Sequence, residues 1–144
     1  MRGLLLSSIA KILPTKTAYA HCDIPCGIYD PKPAQIAAAT VLKMVQKINE
    51  LPQSGKSKNE KNALIRMVWA KEEHARKCKE EILIFWTDYF KPEHLAKFPN
   101  LHEVFWKAAK LCSKNKQEVS LQAAQELVRA VDEIAEIFVK SKTK

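Results

Sequence analysis

Residues 57–92 read SKNEKNALIRMVWAKEEHARKCKEEILIFWTDYFKP, and they decide the fold. Ser57 and Glu60 have the spacing of a capping box. In such a box a hydroxyl and a carboxylate each meet an N–H that the start of a helix leaves without a partner. No glycine or proline follows until Pro92, so the pattern predicts one long helix from Ser57 to about Phe90. Leu64, Ile65, Val68, Ala75, Cys78, Ile82, Phe85 and Trp86 recur at helical spacing along it and predict a face turned to a core. A helix with one apolar face needs other elements to cover that face.

The flanking sequence supplies more helices. Asp30 suits an N-cap and Pro31 a first helical position, where the missing N–H costs nothing. Ile36, Ala39, Leu42, Met44, Val45 and Ile48 then form a stripe. The helix stops near Leu51-Pro52, and QSGK at 53–56 makes the turn. Downstream, FKPEHLAKFPN (90–100) breaks regular structure at two prolines. Asn100 and Glu103 mark another start, followed by Leu101, Val104, Phe105, Ala108, Leu111 and Cys112. A last helix begins near Ser120 and lines up Leu121, Ala124, Leu127, Val128, Val131, Ile134, Ala135 and Phe138. No strand-like alternation or repeat occurs. The reading is all-α: a four-helix bundle whose first pair is antiparallel. Trp69, Trp86 and Trp106 are read as core or interface positions, and an apolar face left over could bury itself in an oligomer.

Composition agrees. The chain has 144 residues, which suits one domain, and only three glycines, which suits helices. No run of eighteen apolar residues occurs, so no membrane partner is expected. The formal charge is +8. Part of it comes from Arg2, Lys11 and Lys16 in an acid-free first segment, and part from KSKNEK near Lys56 and the tail after Lys140. Elsewhere Lys and Glu alternate along helix faces, as solvated surfaces do, with modest steering of anions. The lysines are dispersed and no recognition-helix motif is visible, so no nucleic-acid partner is expected.

Residues 1–20, MRGLLLSSIAKILPTKTAYA, are basic and end in Ala18-Tyr19-Ala20, with small residues about the tyrosine as at a processing site. We read them as a leader, outside the fold, removed by a maturation protease cutting after Ala20. The compartment is read as cytoplasmic, with export or organelle targeting through residues 1–20 as the alternative.

Immediately after comes HCDIPC, residues 21–26. Cys22 and Cys26 are close enough for two thiolates to converge on one soft or borderline metal, and His21 can add an imidazole. A loop disulfide or two free thiols are the other readings. Cys78 and Cys112 lie in helical patterns and are read as buried free thiols, so no second cysteine pair completes a closed zinc site. Cleavage after Ala20 would leave His21 with a free α-amine. Amine, imidazole and two thiolates would then share a few residues, with the Cys22 backbone nitrogen between them. That donor set favours a square-planar nickel or copper(II) ion.

HCDIPCGIYDP (21–31) resembles the N-terminal hook of nickel superoxide dismutases, and FWTDYFKP (85–92) resembles a second segment of that family. The resemblance covers residues 21–144, with 21–29 as the nickel hook. It implies an enzyme that disproportionates superoxide to O2 and H2O2 by cycling one nickel per subunit, and a four-helix bundle assembled as a homohexamer. It implies metal ligation by the His21 amine and imidazole, the Cys22 amide and thiolate, and the Cys26 thiolate. His21 and Tyr29 take the catalytic positions, Tyr29 by limiting access to small anions. Asp23, Pro25 and Gly27 shape the hook, Pro25 through a cis bond to Ile24, and Tyr89 and Lys91 support it from the end of the long helix. Members of the family pair a glutamate in the first helix with an arginine in the second to orient the axial imidazole. This chain has Ala37 and His74 at those places and departs from the family there. A metal carrier or sensor with the same ligands is the alternative, but a carrier needs no access gate such as Tyr29.

Overall fold

The structure, a computed structural model, describes residues 23–51 and 57–143. Among them four α-helices follow in order: α1 (Lys32–Asn49), α2 (Lys58–Ile84), α3 (Leu101–Gln117) and α4 (Leu121–Lys142). Each packs on its neighbour in sequence, and α4 closes on α1. One hydrophobic core runs between them.

The caps explain where the helices start. The Ser57 hydroxyl accepts from Glu60 N–H at 3.1 Å, and the Glu60 carboxylate accepts from Ser57 N–H at 3.1 Å. Such a cap contributes about 1 kcal/mol. The Ser120 hydroxyl accepts from Ala123 N–H at 3.1 Å and opens α4. α1 begins one residue later than the sequence suggests: Pro31 stands at the cap position, while the Asp30 carboxylate still accepts from Lys32 N–H at 2.9 Å. Asn100 precedes α3 without a side-chain cap bond. The turn placed at 53–56 lies outside the described residues.

The core corrects several expectations about faces. α1 buries Ala34, Ala37, Ala38, Val41 and Val45, whereas Ile36 is 54 % exposed and Ala39 lies outside. Alanines let helices approach closely, so the inner face of α1 is a small-residue face. α2 buries Lys71, Ala75, Cys78 and Ile82, while Leu64 and Ile65 near its start face out. Leu121 is likewise exposed at the start of α4, where Ala123 and Ala124 take the inner positions. On α3 the expected face holds, with Leu101, Val104, Phe105, Ala108 and Cys112 buried.

The long helix also does not keep α geometry to Phe90. Phe85–Tyr89 forms a wider π turn, in which Phe90 N–H donates to Phe85 O at 3.1 Å, five residues back. A short 3-10 turn, Pro92–Ala96, occupies part of the stretch expected to be irregular. The two turns build the end of the bundle that faces residues 23–30.

Lys71 is 2 % exposed, an unusual place for an ammonium. Its Nζ donates to the backbone carbonyls of Asn115, Lys116 (3.2 Å) and Glu118 (3.4 Å), and to Glu72 Oε1 at 3.0 Å. These carbonyls end α3, where the helix dipole is negative. Beside it the buried Asn115 amide donates to Leu111 O at 2.9 Å and Ala123 O at 3.0 Å, tying α3 to α4. Lys71→Met keeps the stem's packing and removes the donor, leaving the carbonyls without it. We expect a loss of about 3 kcal/mol, read from urea unfolding at fixed protein concentration. A loss under about 0.5 kcal/mol would mean that solvent replaces the ammonium there.

Cys78 and Cys112 are both free and fully buried, on α2 and α3. The Cys78 thiol is pushed far above its ordinary value, first by its hydrogen bond with Cys112 and then by burial. It therefore stays protonated and unreactive in the folded chain. Trp86 stacks on Phe105, with centroids 5.9 Å apart and planes 9° from parallel, and its indole N–H donates to His102 Nδ1 at 2.8 Å. Trp69 and Trp106 are exposed. The surface charges pair along helices, as Lys107 with Glu103 and Lys140 with Glu136. Such pairs contribute little to stability. No helix among the described residues is long and apolar enough to cross a membrane.

Candidate metal centre

His21 and Cys22 lie outside the described residues, so of the three expected ligands only Cys26 is described. Pro25-Cys26-Gly27-Ile28 makes a loose turn, with Ile28 N–H to Pro25 O at 3.4 Å. Gly27 has φ +98°, a conformation that favours glycine, and it makes the reversal. The expected cis bond is absent: Ile24–Pro25 is trans, as is every described peptide. The turn leaves the Cys26 thiol free and exposed.

The hook segment is held from α2's wide turn. Asp23 N–H donates to Asp88 Oδ2 at 2.9 Å, and the Thr87 hydroxyl lies 3.0 Å from the other Asp88 oxygen. Asp23 thus ties down the loop through its backbone, one residue beyond Cys22. Asp88 was not singled out in the sequence, although it sits in the middle of FWTDYFKP. An acid in a segment already marked by its aromatics and lysine was the available clue. Asp88→Ala should loosen the loop without touching the core. Loss of such a supporting contact typically lowers metal affinity tenfold or more. We expect about a tenfold loss in nickel affinity by chelator competition, with helix content unchanged; full affinity would contradict the anchoring role.

Cys26, Gly27, Tyr29, Asp88, Tyr89, Lys91, Glu93 and His94 together line a cavity of about 290 Å³. Tyr29 is 6 % exposed, and its ring packs against Tyr89 at 5.3 Å and Phe85 at 5.7 Å. Tyr89 also contacts Phe138 at 4.8 Å and stacks on His94 at 5.9 Å. Lys91 is exposed at the rim, and its backbone N–H donates to His94 Nδ1 at 2.9 Å, which assigns the neutral ring's proton to Nε2. One lysine therefore faces two carboxylates, Asp88 and Glu93, around the same space. The structure thus brings together Cys26, Gly27, Tyr29, Tyr89 and Lys91, and it adds Asp88, Glu93 and His94. Pro25 and Asp23 stay in the loop beside the cavity.

The residues at the departing positions are elsewhere engaged. Ala37 is buried in the core. His74 Nδ1 bonds to Ala70 O at 2.9 Å in its own helix. Among the described residues no group of three or more His, Cys, Asp or Glu side chains converges as a metal cluster. The residues just before Asp23, His21 and Cys22, are the donors the sequence offers beside Cys26.

Comparison with known proteins agrees with this geometry. The model of the family described as nickel-containing superoxide dismutase matches residues 16–142. The chain is 32 % identical over 129 residues to the superoxide dismutase [Ni] of Streptomyces coelicolor, covering 90 % of this chain and 93 % of that protein. The Streptomyces seoulensis protein matches equally, at 32 % over 129 residues. The native structure of nickel superoxide dismutase superposes with a TM-score of 0.74 at 31 % identity, covering 86 % of this chain and all of that one. Its apo structure gives 0.71 at 29 % identity. On a match that runs from before the hook to the end of α4, the chain belongs to the nickel-containing superoxide dismutase family.

Proposed function

We propose that the processed chain disproportionates superoxide at a nickel ion held in residues 21–29, with the 290 Å³ cavity as the approach for substrate. The observation that carries this reading is the exposed Cys26 thiol opening on a cavity walled by Tyr29, Asp88, Tyr89 and Lys91. The donor chemistry fits nickel: a thiolate on a fixed glycine turn, preceded by a second cysteine and a histidine. His21, Cys22 and Cys26 would hold it. Nickel so bound would supply a one-electron couple for superoxide disproportionation.

The chain's own residues do the rest. Asp88 holds the backbone beside Cys22. Tyr29 and Tyr89 narrow the cavity to small species. Lys91 places one positive charge at the rim as a local attraction for the anion, opposed by the Asp88 and Glu93 carboxylates on the same cavity and screened over about 8 Å at physiological salt. Reduction of superoxide to peroxide takes two protons, and the cavity is large enough for water to deliver them.

Two further parts of the reading concern processing and assembly. Residues 1–20 are removed by a maturation protease after Ala20, and this creates the amine donor. The exposed apolar side chains Ile36, Ile65, Trp69 and Trp106 meet further copies in a homohexamer. Sedimentation of the processed protein should give the hexamer mass; a monomer would remove this part. The activity is tested by superoxide consumption by the cleaved, nickel-loaded protein, with Cys26→Ser as control. Nickel retained without turnover would instead mark a carrier.

A further inference from the structure

The hydroxyl of Tyr89 is 2.8 Å from Ser141 Oγ, in the last turn of α4. Ser141 Oγ is also 2.7 Å from the Phe138 carbonyl oxygen. A serine hydroxyl has one proton, and a carbonyl can only accept. Ser141 therefore donates to Phe138, and Tyr89 must be the donor to Ser141. Ser141 is not among the residues lining the cavity, so the Tyr89 proton is committed outside it.

The ring itself has little freedom. It is packed by Tyr29 at 5.3 Å, Phe90 at 4.9 Å, His94 at 5.9 Å and Phe138 at 4.8 Å. Rotation about the C–O bond is what remains, and Ser141 fixes it. The last turn of α4 is held in its turn by Lys97, whose ammonium donates to Lys140 O at 2.8 Å and Thr143 O at 3.0 Å.

We infer that Ser141 is a positioning residue for the reaction: by accepting the Tyr89 proton it keeps the Tyr89 hydroxyl from donating into the cavity, so that small anions gain no hydrogen bond from it. Superoxide and competing monoanions carry lone pairs and no proton. They are drawn toward Lys91 by charge but gain no further hydrogen bond from Tyr89, so they are held less tightly. This rests on the cavity being the substrate approach proposed above.

The test uses the nickel-loaded, processed enzyme with azide as the probe, a monoanion that accepts and cannot donate. Ser141→Ala frees the Tyr89 proton to turn inward. Azide inhibition should then tighten about fivefold, the fold-change of one net hydrogen bond. A direct azide titration followed through the tyrosine ring resonances should show the same factor. Ser141→Thr keeps the acceptor and should restore wild-type values. In a Tyr89→Phe background, Ser141→Ala should change nothing further. Unchanged azide affinity in Ser141→Ala overturns the inference, as does an equal change in the Tyr89→Phe background, which would trace it to the helix end. Either result with turnover intact leaves the proposed function standing, whereas absence of turnover in the wild-type enzyme sinks that function.

Discussion

Replacing Cys26 with serine should lower nickel retention and superoxide turnover more than about 100-fold while leaving the bundle folded. Cys26 is exposed and lies on a turn outside the core. A surface change of this kind typically moves stability by no more than about 0.5 kcal/mol, so urea midpoints should stay put. Serine keeps the size and a hydroxyl but cannot supply a thiolate, and its oxygen stays protonated at neutral pH. One anionic sulfur donor is thereby lost from a site that depends on soft ligands. Metal analysis after gel filtration measures the first effect and superoxide decay the second. If the serine variant retains nickel and turns over, Cys26 is not a ligand.

A chain that keeps residues 1–20 should be equally inactive, for a different reason. While Ala20 precedes it, the nitrogen of His21 is an amide whose lone pair is delocalised into the carbonyl. Cleavage converts it to an amine, a good donor near neutral pH. Both sulfurs are present in the precursor, so any deficit isolates the nitrogen. We expect turnover in the precursor to be down by more than about 100-fold, and to be regained when the leader is removed in vitro and nickel added. Equal activity before and after removal would place the donor elsewhere.

Much of this was legible because local chemistry carried it. Ser57 with Glu60, and Ser120, marked helix starts that depend only on nearby side chains and the first turn. The α3 face was readable since its buried positions are large and regularly spaced. The α1 face was legible only in part: Val45 and Leu42 do pack inward, but most inner residues are small alanines, and hydrophobicity alone gave weight to Ile36. Lys71 was hidden for a non-local reason. A lysine in a charged run reads as solvated, and its partners are carbonyls at 115–118, more than forty residues away. The π turn at Phe85–Tyr89 has no sequence mark of its own, yet it belongs to the segment that carries Asp88 and Tyr89 to the cavity.

The hook was legible as candidate chemistry from His21, Cys22 and Cys26, residue types that fall within six positions of sequence; of these only Cys26 lies among the described residues. Its support was less so. Asp88 meets the backbone of Asp23, and backbone partners leave no pattern in side-chain spacing. Ser141 could not be anticipated at all, since its role depends on which of two hydroxyls holds the shared proton. The trans Ile24–Pro25 bond shows the same limit: proline marked the turn, while Gly27 makes it.

The most direct test of the central claim is an intact mass and metal analysis of the mature protein. A chain beginning at His21 and carrying about one nickel ion, bound by thiolate and nitrogen donors, is the expected result. Mature protein that begins at another residue, or that holds zinc in place of nickel, would contradict it.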